Sequence, residues 1–298
     1  MRNKFLIIFL FILIVAIPAN CFALEKKDNY VDFTNWYKEK TGKDVPYISA
    51  AVIEYETLKP LYFHQEERQM PSASLMKLIT ASEFVKHFPL WNKTYNLTWQ
   101  DSEGDLRQYV GPRDSFVTLK LKSTERIKIK DIFASTLIAS ANNSANKLSK
   151  ITEISKTQFL ENMGKIASEW GLTKTLIDDP SGLSMKNLTS ARDMAIVTCH
   201  AFSNENISEY SSKPQYTFTT REGRQINLKH TVYDLRNNPQ NYFGAKTGFL
   251  NETRFHVTAG YITPMKKKIC VAVLSVYKRS DSEDAVVKIG EWVDEMYK

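Results

Sequence analysis

The apolar positions of this chain follow three different periods. From Phe5 to Ile17 they form an unbroken run of thirteen residues. In Tyr47–Glu56, Phe255–Ile262 and Ile269–Tyr277, β-branched and aromatic residues cluster in short segments with polar bounds, which predicts strands. Leu61–Phe63 is expected to pair with the first strand. Thr263–Lys268, with its proline and lysines, suits the turn between the last two. Elsewhere the spacing is helical. Asp32–Lys40 predicts a short helix stopped by Gly42. Leu75–His87 carries Leu75, Leu78, Ile79 and Ser82 on one stripe, with Phe84 and Val85 beside it. Residues 132–154 and 158–170 also have helical spacing, and Gly171 caps the second stretch. Asp178–Gly182 is a loop. In Asp284–Lys298, Val286, Val287, Ile289, Trp292, Val293 and Met296 fall where a helix would pack them on a sheet. Strands near both ends with helices between predict an α/β protein of the α+β type. One antiparallel sheet is built from the N- and C-terminal segments, with an inserted helical region. No repeat, low-complexity stretch or linker interrupts it, so residues 24–298 are expected to form a single domain.

The first run has a separate meaning. Arg2 and Lys4 precede it, Pro18 ends it, and Cys21-Phe22-Ala23 offers small residues for a signal peptidase. Residues 1–23 are therefore expected to be a signal peptide. Thirteen apolar residues are short for crossing a bilayer, so a retained anchor is the weaker alternative. Asn20 stands where lipid attachment at Cys21 would need a small residue. The mature protein is expected to be exported, periplasmic or in the cell envelope, with no stable membrane anchor. Cleavage removes two positive charges and no negative ones, taking the formal balance from +7 to +5. That favours anionic envelope polymers, whereas the scattered lysines give no nucleic-acid signature. Cys199 and Cys270 remain; they pair in an oxidising compartment or serve as small buried hydrophobes. The five histidines show no metal-ligand spacing, and neither a metal nor a cofactor is expected.

Three short motifs carry candidate chemistry, and each is weak alone. SxxK occurs at Ser74–Lys77, Ser144–Lys147 and Ser275–Lys278; SxN occurs at Ser140 and Ser144; KTG occurs at Lys40 and Lys246. Surroundings discriminate among them. Ser74 stands at the opening of a predicted helix, where unpaired N–H groups and the positive dipole end can stabilise an oxyanion. Lys77 lies three residues on, along the same helix face, within reach of the hydroxyl. A buried lysine loses its proton more easily and can act as a base. The structural alternative is a helix cap followed by a surface lysine. Ser144 falls inside a helical pattern with no dipole end expected, and Ser275 falls in a strand, where i and i+3 face apart. Ser140 and Asn142 are expected in a turn between helices, able to relay a proton and to hold a carbonyl. Lys246 and Thr247 suit a carboxylate, and Gly248 leaves room for a substrate backbone along an edge strand. Lys40-Thr41-Gly42 ends a helix, where Gly42 serves as a cap.

Serine, lysine and SxN motifs in this order belong to a known set, and the match extends beyond them. Pro71–Ala81 resembles the nucleophile segment of serine D-alanyl-D-alanine carboxypeptidases, the low-molecular-weight penicillin-binding proteins of the peptidase S11 type. Ile138–Ala145 resembles their second motif, with Ala141 where glycine is commoner. Phe159–Ala167, Gly171-Leu172, Pro180–Leu183 and Thr189–Ala195 resemble the family's long helical stretch. The likeness runs from about Ile48 to the C-terminus. It implies a β-lactamase/D,D-peptidase-like fold and a peptidoglycan stem-peptide substrate. It also implies acyl transfer through Ser74, with β-lactams as covalent inhibitors. Lys77, Ser140 and Asn142 would share proton transfer and positioning. Backbone N–H groups of Ser74 and Phe249 would form the oxyanion hole, and Lys246 and Thr247 would hold the carboxylate.

The chain leaves no room beyond its last predicted helix for the family's β-rich second domain or amphipathic anchor, so neither is expected. That gives weight to a crosslink-cutting D,D-endopeptidase beside the carboxypeptidase. Glu169–Thr173 partly imitates a β-lactamase ExxLN loop, which makes a serine β-lactamase a further alternative. A catalytically inert penicillin sensor is the non-enzymatic one. The stretch 99–122 supports no site assignment.

Overall fold

Residue Cys270 and its neighbours explain the architecture. In the computed structural model, every residue from Ile269 to Val276 is buried, because both faces of their strand are covered. The structure describes residues 33–43, 47–87 and 89–298, all within one compact unit, Val31–Lys298. The expected signal peptide lies outside the described residues.

In chain order the helices are α1 (Phe33–Thr41), α2 (Lys77–Val85), α3 (Ile129–Leu137), α4 (Asn142–Lys150), α5 (Lys156–Glu169), α6 (Ala191–Ser203), α7 (Glu205–Ser211), α8 (Tyr233–Asn237) and α9 (Arg279–Glu295). Strands β1 (Ser49–Glu54) and β2 (Pro60–His64) open the chain. The two-residue strands β3 (Met70–Pro71), β4 (Thr94–Tyr95), β5 (Ile127–Lys128) and β6 (Leu188–Thr189) tie loops together. β7 (Gln215–Thr219) and β8 (Gln225–Lys229) form a hairpin, and β9 (Tyr242–Leu250), β10 (Arg254–Ile262) and β11 (Lys268–Val276) follow. The main sheet is antiparallel in the order β2-β1-β11-β10-β9. The N-terminal strand thus pairs with the C-terminal one, Ala51 opposite Ala272, as the pattern predicts.

Side chains alternate between two cores. Ala51, Ile53, Cys270, Ala272 and Leu274 face the helical lobe. Ala50, Val52, Ile269, Val271 and Val273 face α1 and α9. Each fully buried branched side chain contributes about 1.5–3 kcal/mol. Cys199 of α6 is disulfide-bonded to Cys270 of β11, pinning the lobe to the sheet.

Three expectations need correction, and one element was not expected. The helical pattern of 132–154 is two helices, because Ser140 takes φ 59° and turns the chain between α3 and α4. Ser144 consequently lies in the first turn of α4, where a helix dipole end does exist. The long helical stretch is also interrupted: α5 ends at Glu169 and α6 starts at Ala191, and Pro180–Leu183 lies in the loop between them. The β7–β8 hairpin went unpredicted, although both strands alternate between exposed and inward residues.

Candidate active site

Ser74 sits in a single 3₁₀ turn, Ala73–Met76, that leads into α2. Ala73 before it has φ 50°, a left-handed conformation that a residue with a Cβ holds only under constraint. The constraint comes from both flanks. A Cβ on Gly182 would lie 2.0 Å from the Ala73 carbonyl oxygen, and one on Gly248 would lie 3.1 Å from the Ala73 Cβ. Two glycines, from distant segments, therefore press their backbones onto the turn that carries Ser74.

Lys77 is fully buried, and its Nζ lies 2.7 Å from Ser74 Oγ, 2.7 Å from Asn142 Oδ1 and 2.5 Å from the Ser181 carbonyl oxygen. The last two are oxygens that only accept, so a neutral amine satisfies both with its two N–H groups. Its lone pair then faces the one neighbour with a proton to give, Ser74. Burial pushes the Lys77 pKa down to about 7, and the nearby Asp179 carboxylate opposes the fall. Asp179 is itself locked in place. It accepts from the N–H groups of Ser181 (2.6 Å), Gly182 (3.1 Å) and Ser184 (2.8 Å) and from Asn187 Nδ2 (2.6 Å). That knot aims the Ser181 carbonyl at Lys77. Thr80 ties it to α2 by donating to the Pro180 carbonyl at 2.7 Å.

Lys246 is the second fully buried amine, on edge strand β9. Its Nζ lies 2.7 Å from Ser140 Oγ and 2.8 Å from the Thr247 carbonyl oxygen. Burial lowers its pKa well below the ordinary lysine value, and the charges of Lys77 and Arg279 lower it further. Thr247 Oγ1 donates to Thr231 Oγ1 at 2.7 Å.

Above these groups runs a cleft of about 630 Å³. Ser74, Ser140, Asn142, Thr247, Gly248 and Phe249 all line it, while the two lysines lie beneath its floor. All eight candidate residues thus come together. The competing motif copies do not. Lys147 is ion-paired to Asp101 at 3.1 Å, and Ser275 stands at φ 64° on β11 beside the β10 register shift. Lys40-Thr41-Gly42 ends α1. Glu169 lies on the surface at the end of α5, 3.6 Å from Lys86.

Several cleft residues escaped the sequence reading. Tyr109 to Val117 form one wall, in the stretch that matched no pattern. Asn142 fixes that wall, since its backbone N–H and its Nδ2 donate to the Val117 carbonyl at 2.8 and 3.0 Å. Arg279, at the start of α9, also lines the cleft and donates to Tyr233 OH at 3.1 Å. The two cues available in the chain, an Asn-Asn pair and a lone arginine, carry no spacing signal. Among the described residues no helix is long and apolar enough to cross a membrane.

Comparison with known proteins finds relatives of similar sequence and structures of similar fold. A D-alanyl-D-alanine endopeptidase of Haemophilus influenzae is 24% identical over 249 residues, covering 81% of each chain. A Bacillus subtilis D-alanyl-D-alanine carboxypeptidase is 24% identical over 247 residues, which is 83% of this chain and 61% of the relative. The fold matches the Streptomyces K15 DD-transpeptidase with a TM-score of 0.74 at 18% identity, over 83% of this chain and 96% of that one. It also matches penicillin-binding protein D2 of Listeria monocytogenes, solved in a cefotaxime-bound form, with a TM-score of 0.69 at 24% identity over 83% and 96%. Residues 38–276 match the family model described as D-alanyl-D-alanine carboxypeptidase, and the chain belongs to that family of serine hydrolases, peptidase S11.

Proposed function

We propose that the protein hydrolyses the bond between two D-alanine units of peptidoglycan stem peptides through an acyl-enzyme on Ser74. The observation that carries this reading is a buried amine of depressed pKa, 2.7 Å from a partly exposed serine hydroxyl at the floor of a cleft. The neutral Lys77 amine takes the Ser74 proton as Oγ attacks the penultimate carbonyl carbon. Backbone N–H groups of Ser74 and Phe249 are assigned to the oxyanion that forms. The C–N bond then breaks, and the proton passes from Lys77 through Ser140 to the departing amine. Water, deprotonated by the same lysine, attacks the ester carbonyl; the C–O bond to Ser74 breaks, the proton returns from Lys77 to Ser74 Oγ, and the shortened peptide leaves. Asn142 holds Lys77 in place. Lys246, Thr247 and Arg279 supply positive charge and a hydroxyl for the substrate carboxylate. A β-lactam amide entering the same cleft would acylate Ser74 and stay.

The endopeptidase reading keeps this chemistry and changes the leaving group to a second stem peptide. It is favoured by the size of the cleft, about 630 Å³, whose lining includes Tyr109, Asn251 and Glu252 as well as Ser74. Mass spectrometry of penicillin-treated protein should find one adduct, on Ser74, absent from Ser74→Ala. Incubation with a pentapeptide and with a crosslinked dimer separates the two leaving groups. An adduct elsewhere, or no D-alanine and no cleaved dimer, would overturn the proposal.

A further inference from the structure

The β7–β8 hairpin presents a face that neither the fold nor the cleft uses. Its inner residues Phe218 and Leu228 belong to the core, with Tyr216 and Ile226 packed against it. Its outer residues are paired directly across the strands: Gln215 with Lys229, Thr217 with Asn227, Thr219 with Gln225. All six are exposed. They make a flat ladder of amides and hydroxyls about 13 Å long, with no apolar side chain that a bilayer would take up.

Cations surround the tip of this ladder. The loop after the cleft wall is held to the hairpin, where Arg221 N donates to the Arg126 carbonyl at 2.9 Å and Arg224 Nη2 to the Lys120 carbonyl at 2.9 Å. Lys120, Lys122, Arg126, Lys128 and Arg221 are exposed and make no ion pair among the described residues. The acidic groups facing them are already engaged. Glu125 is paired with Arg224, and Glu222 accepts the Arg126 backbone N–H at 2.8 Å. The base of the hairpin meets the cleft: Thr231 N donates to the Ile138 carbonyl at 3.1 Å, and Thr231 lines the cleft.

We infer that this face docks the polymer from which the substrate peptide hangs, an N-acetylated glycan strand carrying peptide carboxylates. The amide–hydroxyl ladder matches acetamido and hydroxyl groups, and the flanking cations match carboxylates. A strand lying on the hairpin delivers its stem peptides to the adjoining cleft. The inference rests on the proposed function for the identity of the polymer.

The test uses the Ser74→Ala protein, which cannot turn over, and sedimentation with purified peptidoglycan sacculi. Lys120→Gln, Lys122→Gln and Arg126→Gln together should weaken binding about tenfold at low salt, and added salt should do the same to the parent. Thr217→Ala with Asn227→Ala should weaken it severalfold, less dependent on salt. With Ser74 present, the same substitutions should leave hydrolysis of a free pentapeptide unchanged. Unaltered sacculus binding would overturn the inference. So would an equal loss of binding to vesicles of anionic phospholipid, or a parallel loss of pentapeptide hydrolysis. Failure of the wild-type protein to release D-alanine would instead strike the proposed function, because sacculus binding is measured without turnover.

Discussion

Ser74 is flanked by two segments that each press a glycine against its turn and that differ in kind. On one side the 178–187 loop offers a glycine to the Ala73 backbone and a carbonyl to Lys77. On the other, β9 offers a glycine to the Ala73 side chain and the buried Lys246. The loop has no regular structure, yet Asp179 fixes it with bonds to backbone and side-chain donors. β9 is regular, yet it is a sheet edge that no strand among the described residues pairs on its outer side. The difference shows in the two lysines. Burial lowers Lys77 to about 7 against the opposing Asp179 charge, while burial lowers Lys246 well below its ordinary value and the charges of Lys77 and Arg279 act in the same direction. A group poised near neutrality suits proton transfer. A group starved of negative charge suits binding an anion. In the proposed mechanism the closed flank does the chemistry and the open flank receives the substrate.

The hardest test of that division is Lys77→Ala. Penicillin acylation should fall by about a thousandfold while the circular dichroism spectrum is kept. Acylation at the parent rate would remove the closed flank from the chemistry. The parent should also show an acid limb. Because the Lys77 pKa is lowered to about 7, its neutral form grows as pH rises through that value, and acylation should rise with it and then level. A rate flat from pH 5 to 9 would contradict the assignment.

Gly182→Ala comes next. At φ 80° any Cβ is strained, and this one would meet backbone at 2.0 Å, which the knot around Asp179 cannot relieve by a rotamer change. A loss of about 3 kcal/mol and roughly 10 °C in Tm is expected by thermal denaturation, with acylation reduced at temperatures where the protein stays folded. A stable, fully active variant would show that the loop is softer than its bonds imply.

The same two flanks show what could be read from the chain beforehand. Sheet strands β1, β10 and β11 were legible because burial on both faces demands unbroken β-branched runs, which stand out in any sequence. Ser74–Lys77 and Lys246–Gly248 were legible because their chemistry depends on close spacing along the chain. Asp179 was read only as part of a loop, since its partners Ser181, Gly182, Ser184 and Asn187 bond to it through backbone and amide groups that leave no periodic trace. Ser140 was placed correctly in a turn, whereas Asn142, expected in the same turn, opens α4, and the break in the 132–154 pattern turns on a left-handed φ at a residue that is not glycine. The wall from Tyr109 to Val117 is irregular chain whose position depends on Asn142, 25 residues further on. Tertiary bonds, not local propensity, hold such segments.

On the open flank, Lys246→Gln keeps a polar group near Ser140 and removes the amine. For a peptide with a free C-terminal carboxylate, kcat/KM should fall about 30-fold, mainly in KM. A peptide blocked as its methyl ester should lose much less. The sign of the pH effect is fixed by the direction of the shift. The lowered pKa leaves Lys246 short of its proton as pH rises, so binding a carboxylate must restore that proton, and affinity for the free acid should decline toward alkaline pH. Equal losses for acid and ester would assign Lys246 to proton transfer and erase the contrast with Lys77.

The mildest test is Gly248→Ala, the counterpart of Gly182→Ala. Gly248 has no left-handed φ, so the strain argument does not apply. Its added Cβ would meet the Ala73 Cβ at 3.1 Å and Leu75 Cγ and the Ser72 carbonyl at 3.3 Å. Those contacts are tight but ease with shifts of a few tenths of an ångström, and an edge strand can move outward more readily because no strand among the described residues pairs with its far side. The expected cost is about 1 kcal/mol, or ~3 °C in Tm. Whatever β9 gains by moving, it loses in its fit to substrate, so pentapeptide kcat/KM should drop severalfold while penicillin acylation falls less. If Gly248→Ala destabilised the protein as much as Gly182→Ala does, β9 would be as rigid as the Asp179 knot, and the two flanks would differ in charge alone.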